Sequence, residues 1–410
     1  MSYRIKINFL FLILTAFLFQ SCKGGSDKLS NWQTIDWKTA NNGSYADFTY
    51  QGLPPSCSDN PISTNSNFHF LYRKGSENNL VVFFQGGGAC WHTNNCINDT
   101  TYTYETQFFE NQSYFDMVSK GQYSSLGYGG IFDLSQNDNP FKNWSFIYIP
   151  YCTGDLFWGA KDTDYNGTTI RHRGHVNFRV VLEWMKDTFS TDPEKIFVTG
   201  ISAGSYGAII NFPYIKEAFT ESEFYVLSDS GVGVINSDFI EYGLPNWNSQ
   251  LPTSSRLLST PGFTGLDEVD LNTTSLAEVN AIIANYYADT KFAQYTTAWD
   301  SVQVYYLTVM ENIDNISDWD DSTDEWCVWN QSMNDNIETT STNSTQGNYK
   351  FFIAPGEDHT IMFSSELYSE VSNGTYLVDW INDMINGGAG FDDVNCTEDC
   401  NKPSGLPDCL

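Results

Sequence analysis

The 410-residue chain carries 50 acidic against 20 basic side chains, a formal charge of −30, with 41% hydrophobic residues. That length suits one large domain with insertions or two domains, with enough apolar residues for a sizeable core. The acidic excess excludes nucleic acid and other polyphosphates as expected partners, and a methylated or acetylated polymer would approach this surface more easily than an ionised polyuronate.

In chain order, Arg4 and Lys6 precede an apolar run over residues 9–19, too short to span a bilayer. The pattern predicts a signal peptide over residues 1–21. It ends in Phe19, Gln20, Ser21 and Cys22, similar to a bacterial lipoprotein cleavage site, which makes Cys22 the expected lipidated N-terminus. Gln20 departs from the small residue usual there, and a plain secretory leader is the alternative. The expected location is an outer-membrane or cell-surface lipoprotein, otherwise periplasmic or secreted, touching membrane only through a lipid at Cys22. Residues 22–45 then form a tether and N-terminal extension.

Setting Cys22 aside leaves Cys57, Cys90, Cys96, Cys152, Cys327, Cys396, Cys400 and Cys409. An even set on an exported chain argues for disulfides. Cys90 and Cys96 are close enough to close one small loop, and the Cys-rich tail at 396–410 is expected to pin the C-terminus. Eight cysteines allow 105 connectivities, so the pairing stays open. A zinc site at Cys396, Cys400 and Cys409 lacks a nearby histidine, and no metal is expected.

Residues 68–73 and 80–85 read as strands joined by a Gly/Asn turn, and the alternation Trp144, Phe146, Tyr148 predicts a strand within 143–151. Apolar spacing at Val176, Val180, Leu182 and Met185 predicts a helix over 176–189. A strand at 195–199 leads to Ser202, followed by a helix to about residue 219 that Pro213 is expected to kink or shorten. Strands at 224–227, 291–298 and 349–354 complete the series. Alternating strands and helices predict an α/β domain over 46–395, with a mostly parallel sheet covered by helices on both faces. Residues 231–290, rich in Asn, Ser, Thr and Pro but helical at 276–287, are expected to form a cap over the site.

The chemistry centres on GISAG at 200–204, a G-x-S-x-G turn between a strand and helix formers. That context reads as a nucleophile elbow with Ser202 exposed above the sheet. A serine needs a base and a group to orient that base. Of five histidines, His359 is placed best, on a loop just past the last strand. His69 lies within a strand. His172 and His175 have H-x-x-H spacing without a third ligand, which suits a helix start.

The acid has two topological candidates, Asp300 and Asp229, each at the end of a strand, with Asp300 preferred. Asp358 is too close in sequence to grip the His359 ring, and Asp314, Asp318, Asp320 and Asp321 read as a solvated acidic loop. The glycine-rich turn at 86–89 is expected to aim backbone N–H groups of Gly88 and Ala89 at a developing oxyanion, joined by Ala203 N–H.

FQGGGAC at 84–90, PYCTG at 150–154, RG at 173–174, GISAGSYG at 200–207, SDSG at 228–231, AWDS at 298–301 and DH at 358–359 occur in one order. In this the chain resembles the pectin acetylesterase family of serine hydrolases, which also contains the Notum carboxylesterases. The resemblance implies an α/β-hydrolase fold, a Ser202–His359–Asp300 triad, an oxyanion hole at Gly88, Ala89 and Ala203, and no cofactor or metal. Plant members have tryptophan at the position of Ala89, with Trp91 here two residues further on, and segment 231–290 matches nothing in the family pattern.

The expected function is a secreted carbohydrate esterase, monomeric, deacetylating pectin or a related acetylated polysaccharide or oligosaccharide. Trp91, Trp158, Trp247 and Trp299 are candidates for a sugar-stacking groove. The alternatives are a carboxylesterase acting on lipid or small aryl esters, and a non-catalytic glycan-binding surface lipoprotein.

Overall fold

Along the central strands, alternate residues enter two separate cores, as a pleated strand buried on both faces requires. Leu80, Val82, Phe84, Ile196, Val198 and Val226 go to one side. Val81, Phe83, Phe146, Phe197, Tyr225 and Leu227 go to the other. The computed structural model describes residues 32–58, 67–97, 129–253, 266, 269–396, 400, 402–404 and 409. The predicted leader and Cys22 lie outside the described residues. No helix among the described residues is long and apolar enough to cross a membrane.

Apart from a two-residue pairing of Val371–Ser372 with Thr375–Tyr376, the strands among the described residues are β1 (Trp32–Asp36), β2 (His69–Arg73), β3 (Asn79–Phe84), β4 (Ser145–Ile149), β5 (Lys161–Tyr165), β6 (Thr168–His172), β7 (Lys195–Ile201), β8 (Glu223–Asp229), β9 (Lys291–Thr297), β10 (Tyr349–Ala354) and β11 (Val394–Asn395). Strands β5 and β6 form a separate antiparallel hairpin. The other nine make one sheet in the order β1-β2-β4-β3-β7-β8-β9-β10-β11. From β4 to β11 every neighbour is parallel, while β1 and β2 pair antiparallel at one edge.

Two features depart from the sequence reading. Strands β2 and β3, consecutive in the chain, do not pair, because β4 lies between them. All five residues of β4 are buried, so it needs a partner on each side. Residues 32–36, counted with the N-terminal extension, add the edge strand β1 along the whole of β2. Its half-exposed residues carry no apolar alternation strong enough to announce it.

Helices α1 (Gly174–Thr188) and α2 (Ala203–Ala218) cover one face of the sheet. Pro213 lies inside α2 without ending it. Proline removes one helical hydrogen bond, but α2 is buried along nearly its whole length, and that packing overrides the local preference. On the same side, segment 231–290 supplies α3 (Ser237–Trp247) and α4 (Leu276–Tyr286), followed by α5 (Ser301–Glu311) and α6 (Glu325–Asn343). Helix α7 (Leu377–Asn386) covers the opposite face with Leu377, Trp380, Ile381, Met384 and Ile385.

All eight remaining cysteines are paired: Cys57–Cys152, Cys90–Cys96, Cys327–Cys409 and Cys396–Cys400. Cys90–Cys96 closes the expected small loop, and Cys327–Cys409 fixes the tail to α6. Cys57–Cys152 spans 95 residues and is buried. Replacing both of its cysteines by serine is expected to lower unfolding free energy by about 2–5 kcal/mol. Urea denaturation of the oxidised proteins checks this, and an unchanged midpoint would contradict it.

Candidate active site

Strand β7 ends at Ile201 and α2 begins at Ala203, leaving Ser202 alone between them at φ 53° and ψ −123°. The flanking glycines are required by contact. A Cβ on Gly200 would lie 2.1 Å from the Gly204 carbonyl oxygen, and one on Gly204 would lie 2.1 Å from that of Phe84. Such a backbone costs on the order of 1–3 kcal/mol. It is held by the Ser202 N–H, which donates to the Asp229 carbonyl at 2.8 Å.

Two strands away, Asp300 caps α5. Its Oδ1 accepts from the N–H groups of Val302 and Gln303, and the Gln303 side-chain amide donates to Oδ2 at 2.8 Å. The helix N-terminus favours the carboxylate form there. His359 Nδ1 lies 2.9 and 2.8 Å from the two Asp300 oxygens. The loops bearing these residues leave adjacent parallel strands and are zipped together. Ala298 N–H donates to Ala354, Trp299 N–H to Gly356 and Ser301 N–H to Glu357, while Thr297 Oγ1 donates to the Asp358 carbonyl.

Asp300 is wholly buried and His359 is 16% exposed. His359 Nε2, the ring atom away from Asp300, is sealed from solvent and has no hydrogen-bond partner among the described residues. Burial pulls the imidazole pKa down, but the Asp300 charge and hydrogen bond, with a smaller push from Asp229, carry it above the ordinary histidine value.

The competing acid, Asp229, is fully buried and contacts the histidine loop instead of the ring. Its Oδ2 accepts the N–H groups of Ile361 and Met362, each at 2.8 Å. Neighbouring Ser230 accepts the Thr360 N–H through Oγ at 3.0 Å and donates to Asp229 Oδ1. These bonds hold Thr360 at φ 65°, a conformation unfavourable for a β-branched residue. Burial raises the Asp229 carboxyl to about 6, against the opposing pull of the Met362 and Ile361 N–H donors.

Ser202, His359, Gly88, Ala89 and Ala203 all border one cavity of about 60 Å³. Its walls include Leu156, Phe239, Tyr306 and Met310. The Ala89 backbone acts electrostatically on the Tyr306 hydroxyl, favouring its charged form. Burial outweighs that effect and pushes the phenol well above its ordinary range. Sequence reasoning missed Tyr306. The signal was present in the helical spacing of Gln303, Tyr306 and Met310 after Asp300, which puts all three on one face.

Other candidates have structural partners. His172 bonds the Thr153 carbonyl through Nδ1 and the Tyr165 hydroxyl through Nε2, both at 2.9 Å. His175 Nδ1 lies 2.8 Å from Asn211 Oδ1. Cys90, Cys96 and His172 bring three donor atoms within 4.8 Å, but the two sulfurs are bonded to each other. The proposed stacking tryptophans are all buried. Trp158, Trp247 and Trp299 spend their indole N–H groups on the carbonyls of Tyr206, Cys90 and Cys400. Only Trp91 borders the cavity.

A strained serine at a strand–helix elbow beside an aspartate-held histidine, on a mostly parallel sheet, defines the molecule as an α/β hydrolase by fold. The family model described as pectinacetylesterase matches residues 57–402, and the chain belongs to that family. It is 26% identical over 154 residues to pectin acetylesterase 4 of Arabidopsis thaliana, covering 37% of this chain and 34% of that protein. Over 225 residues it is 26% identical to the palmitoleoyl-protein carboxylesterase notum1a of Danio rerio, covering 49% and 41%. The aligned stretches thus span well under half the length of these relatives. The Wnt deacylase Notum from Drosophila superposes with a TM-score of 0.54 at 16% identity, over 84% of this chain and 93% of that one, which establishes the shared fold.

Because the Asp229 charge helps hold the His359 proton, Asp229→Asn is expected to lower the imidazole pKa. Titration of the histidine ring resonances by NMR measures this directly. A value that stays put or rises would rule out the electrostatic coupling.

Proposed function

We propose that the protein is a serine esterase that removes acetyl groups from a polysaccharide, pectin-like or related, after export to the cell surface. The observation that carries this reading is the common cavity of Ser202, at its strained turn, and His359, gripped through Nδ1 by Asp300.

In this mechanism Ser202 Oγ attacks the acetyl carbonyl while His359 Nε2 takes its proton. Asp300 fixes the tautomer that leaves Nε2 free to accept and stabilises the imidazolium. Backbone N–H groups of Gly88, Ala89 and Ala203 receive the carbonyl oxygen as it becomes an oxyanion. His359 then returns the proton to the sugar oxygen, which leaves as a hydroxyl. Water, deprotonated by the same nitrogen, attacks the acetyl-enzyme and releases acetate and Ser202.

Cavity size supports the choice of acyl group. At about 10–15 Å³ per water-sized group, 60 Å³ holds roughly four to six such groups, enough for an acetyl ester and too few for the palmitoleoyl chain in the names of the Notum relatives. Family membership supports an ester as the substrate.

Ser202→Ala is expected to abolish covalent labelling by a fluorophosphonate and to lower kcat for acetate release by on the order of 10⁶. A wild-type protein that takes no label would instead favour a glycan-binding role. If Tyr306 closes the acyl end, Tyr306→Ala should raise the rate on butyrate relative to acetate aryl esters by about tenfold or more. An unchanged preference would remove Tyr306 from the wall that selects the acyl group.

A further inference from the structure

A second, larger cavity of about 390 Å³ lies beside the catalytic one, and Val234 and Ile235 form part of the wall of both. Its polar lining comes from the N-terminal turn of α3 (Asn236, Ser237), the turn before α4 (Asn272, Thr273) and one face of α6 (Ser332, Asn336). No ionisable side chain is among its described lining residues. In a chain of charge −30, a wall made only of amides, hydroxyls and aliphatic groups stands apart from its surroundings.

We infer that this groove binds the uncharged sugar units of the glycan whose ester enters the catalytic cavity. The inference rests on the deacetylase reading above and narrows its substrate to neutral sugars or uronates whose carboxyls are esterified. Three observations carry it. Val234 and Ile235 line both cavities, so the groove adjoins the cavity that Ser202 borders. Its volume, at about 10–15 Å³ per water-sized group, accommodates roughly two pyranose rings. Its amides and hydroxyls can each donate and accept, as sugar hydroxyls require.

An ionised carboxylate finds no cation to pair with among the described lining residues. Two helix N-termini border the groove and would ordinarily attract an anion, but both are already served. Asn236 Oδ1 accepts the Phe239 N–H, and Ser275 Oγ accepts the Glu278 N–H while the Glu278 carboxylate accepts the Ser275 N–H. Asp238 occupies the first turn of α3, and Glu311 accepts from the Asn236 amide. Hydrogen bonds from the Asn272 and Ser275 N–H groups hold Asp270 and Glu278 below the usual carboxylate range. A uronate would therefore meet fixed negative charge without a cation to offset it.

The test measures kcat/KM for acetate release by the full chain on acetylated xylan oligosaccharides, on acetylated polygalacturonate, and on the same polygalacturonate after methyl esterification. The xylan and the methyl ester should each exceed the ionised polymer by about tenfold at low salt, with the gap narrowing as salt screens the repulsion. Ser332→Trp, and independently Ser237→Trp, should lower the ratio of glycan to aryl acetate turnover by about tenfold. Ser332→Arg should raise turnover of the ionised polymer relative to its methyl ester. Equal turnover of ionised and esterified polymer, or an unchanged ratio in both tryptophan variants, overturns the groove alone. If aryl acetate is cleaved and Ser202 is labelled but no glycan loses acetate, the deacetylase reading fails and the groove assignment falls with it.

Discussion

The site depends on one residue that is not itself in the triad geometry. Asp229, at the end of β8, receives the Ser202 N–H on its backbone carbonyl and the N–H groups of Ile361 and Met362 on its carboxylate. Ser230 adds the Thr360 N–H. Three non-glycine residues therefore sit at positive φ around this strand end: Ser202 at 53°, Ser230 at 58° and Thr360 at 65°. At roughly 1–3 kcal/mol each, such strain persists only where surrounding bonds over-determine the backbone. Here one residue, through its backbone carbonyl and its carboxylate, and its neighbour Ser230 supply those bonds to the elbow and to the histidine loop, so the two halves of the site are positioned together.

That placement also shapes the electrostatics. His359 is packed against two buried carboxylates: Asp300 grips the ring, and Asp229 holds the backbone after it. Burial alone would leave a weak base, and the two charges more than offset it. A histidine with raised pKa is a stronger proton acceptor, at the expense of being partly protonated near neutrality. The molecule's surface follows another rule. Its −30 charge repels polyanions at long range, while both cavities are walled by neutral groups apart from the histidine. Long-range repulsion and local wall chemistry thus act in the same direction on an ionised ligand.

Much of the fold was legible because it rests on local patterns. The buried strands β3, β4, β7, β8, β9 and β10 read as apolar runs, α1 as a 3.6-residue period, and the elbow as glycines forced by close contact. Strand β1 escaped because an edge strand needs little burial, and the β2–β4–β3 order escaped because pairing is a tertiary choice that consecutive strands do not reveal. The same limit applied at the site. Ser202 and His359 were singled out by motif and position, whereas Asp229 and Asp300 shared one topological claim as strand-end aspartates, with Asp300 preferred. Only the packing of two loops separates a carboxylate that faces the ring from one that faces the backbone. Trp158, Trp247 and Trp299 failed as stacking candidates for a related reason. An aromatic count cannot tell a platform from a core residue whose N–H has a buried carbonyl to satisfy.

This chain is similar both to a relative named for acetyl esters and to one named for palmitoleoyl esters, which directs attention to the walls around its own elbow. Helix α5 concentrates part of those walls on a single helical face. Asp300 caps the helix, Gln303 one turn on fixes the Asp300 carboxylate, and Tyr306 and Met310 on the following turns close the cavity. The cap and the pocket wall are thus separated along one rigid element. Changes at Tyr306 or Met310 alter the space beyond the ester without loosening the bonds that orient His359. A helix arranged in this way separates, within this chain, the bonds that position His359 from the side chains that set the depth of the cavity.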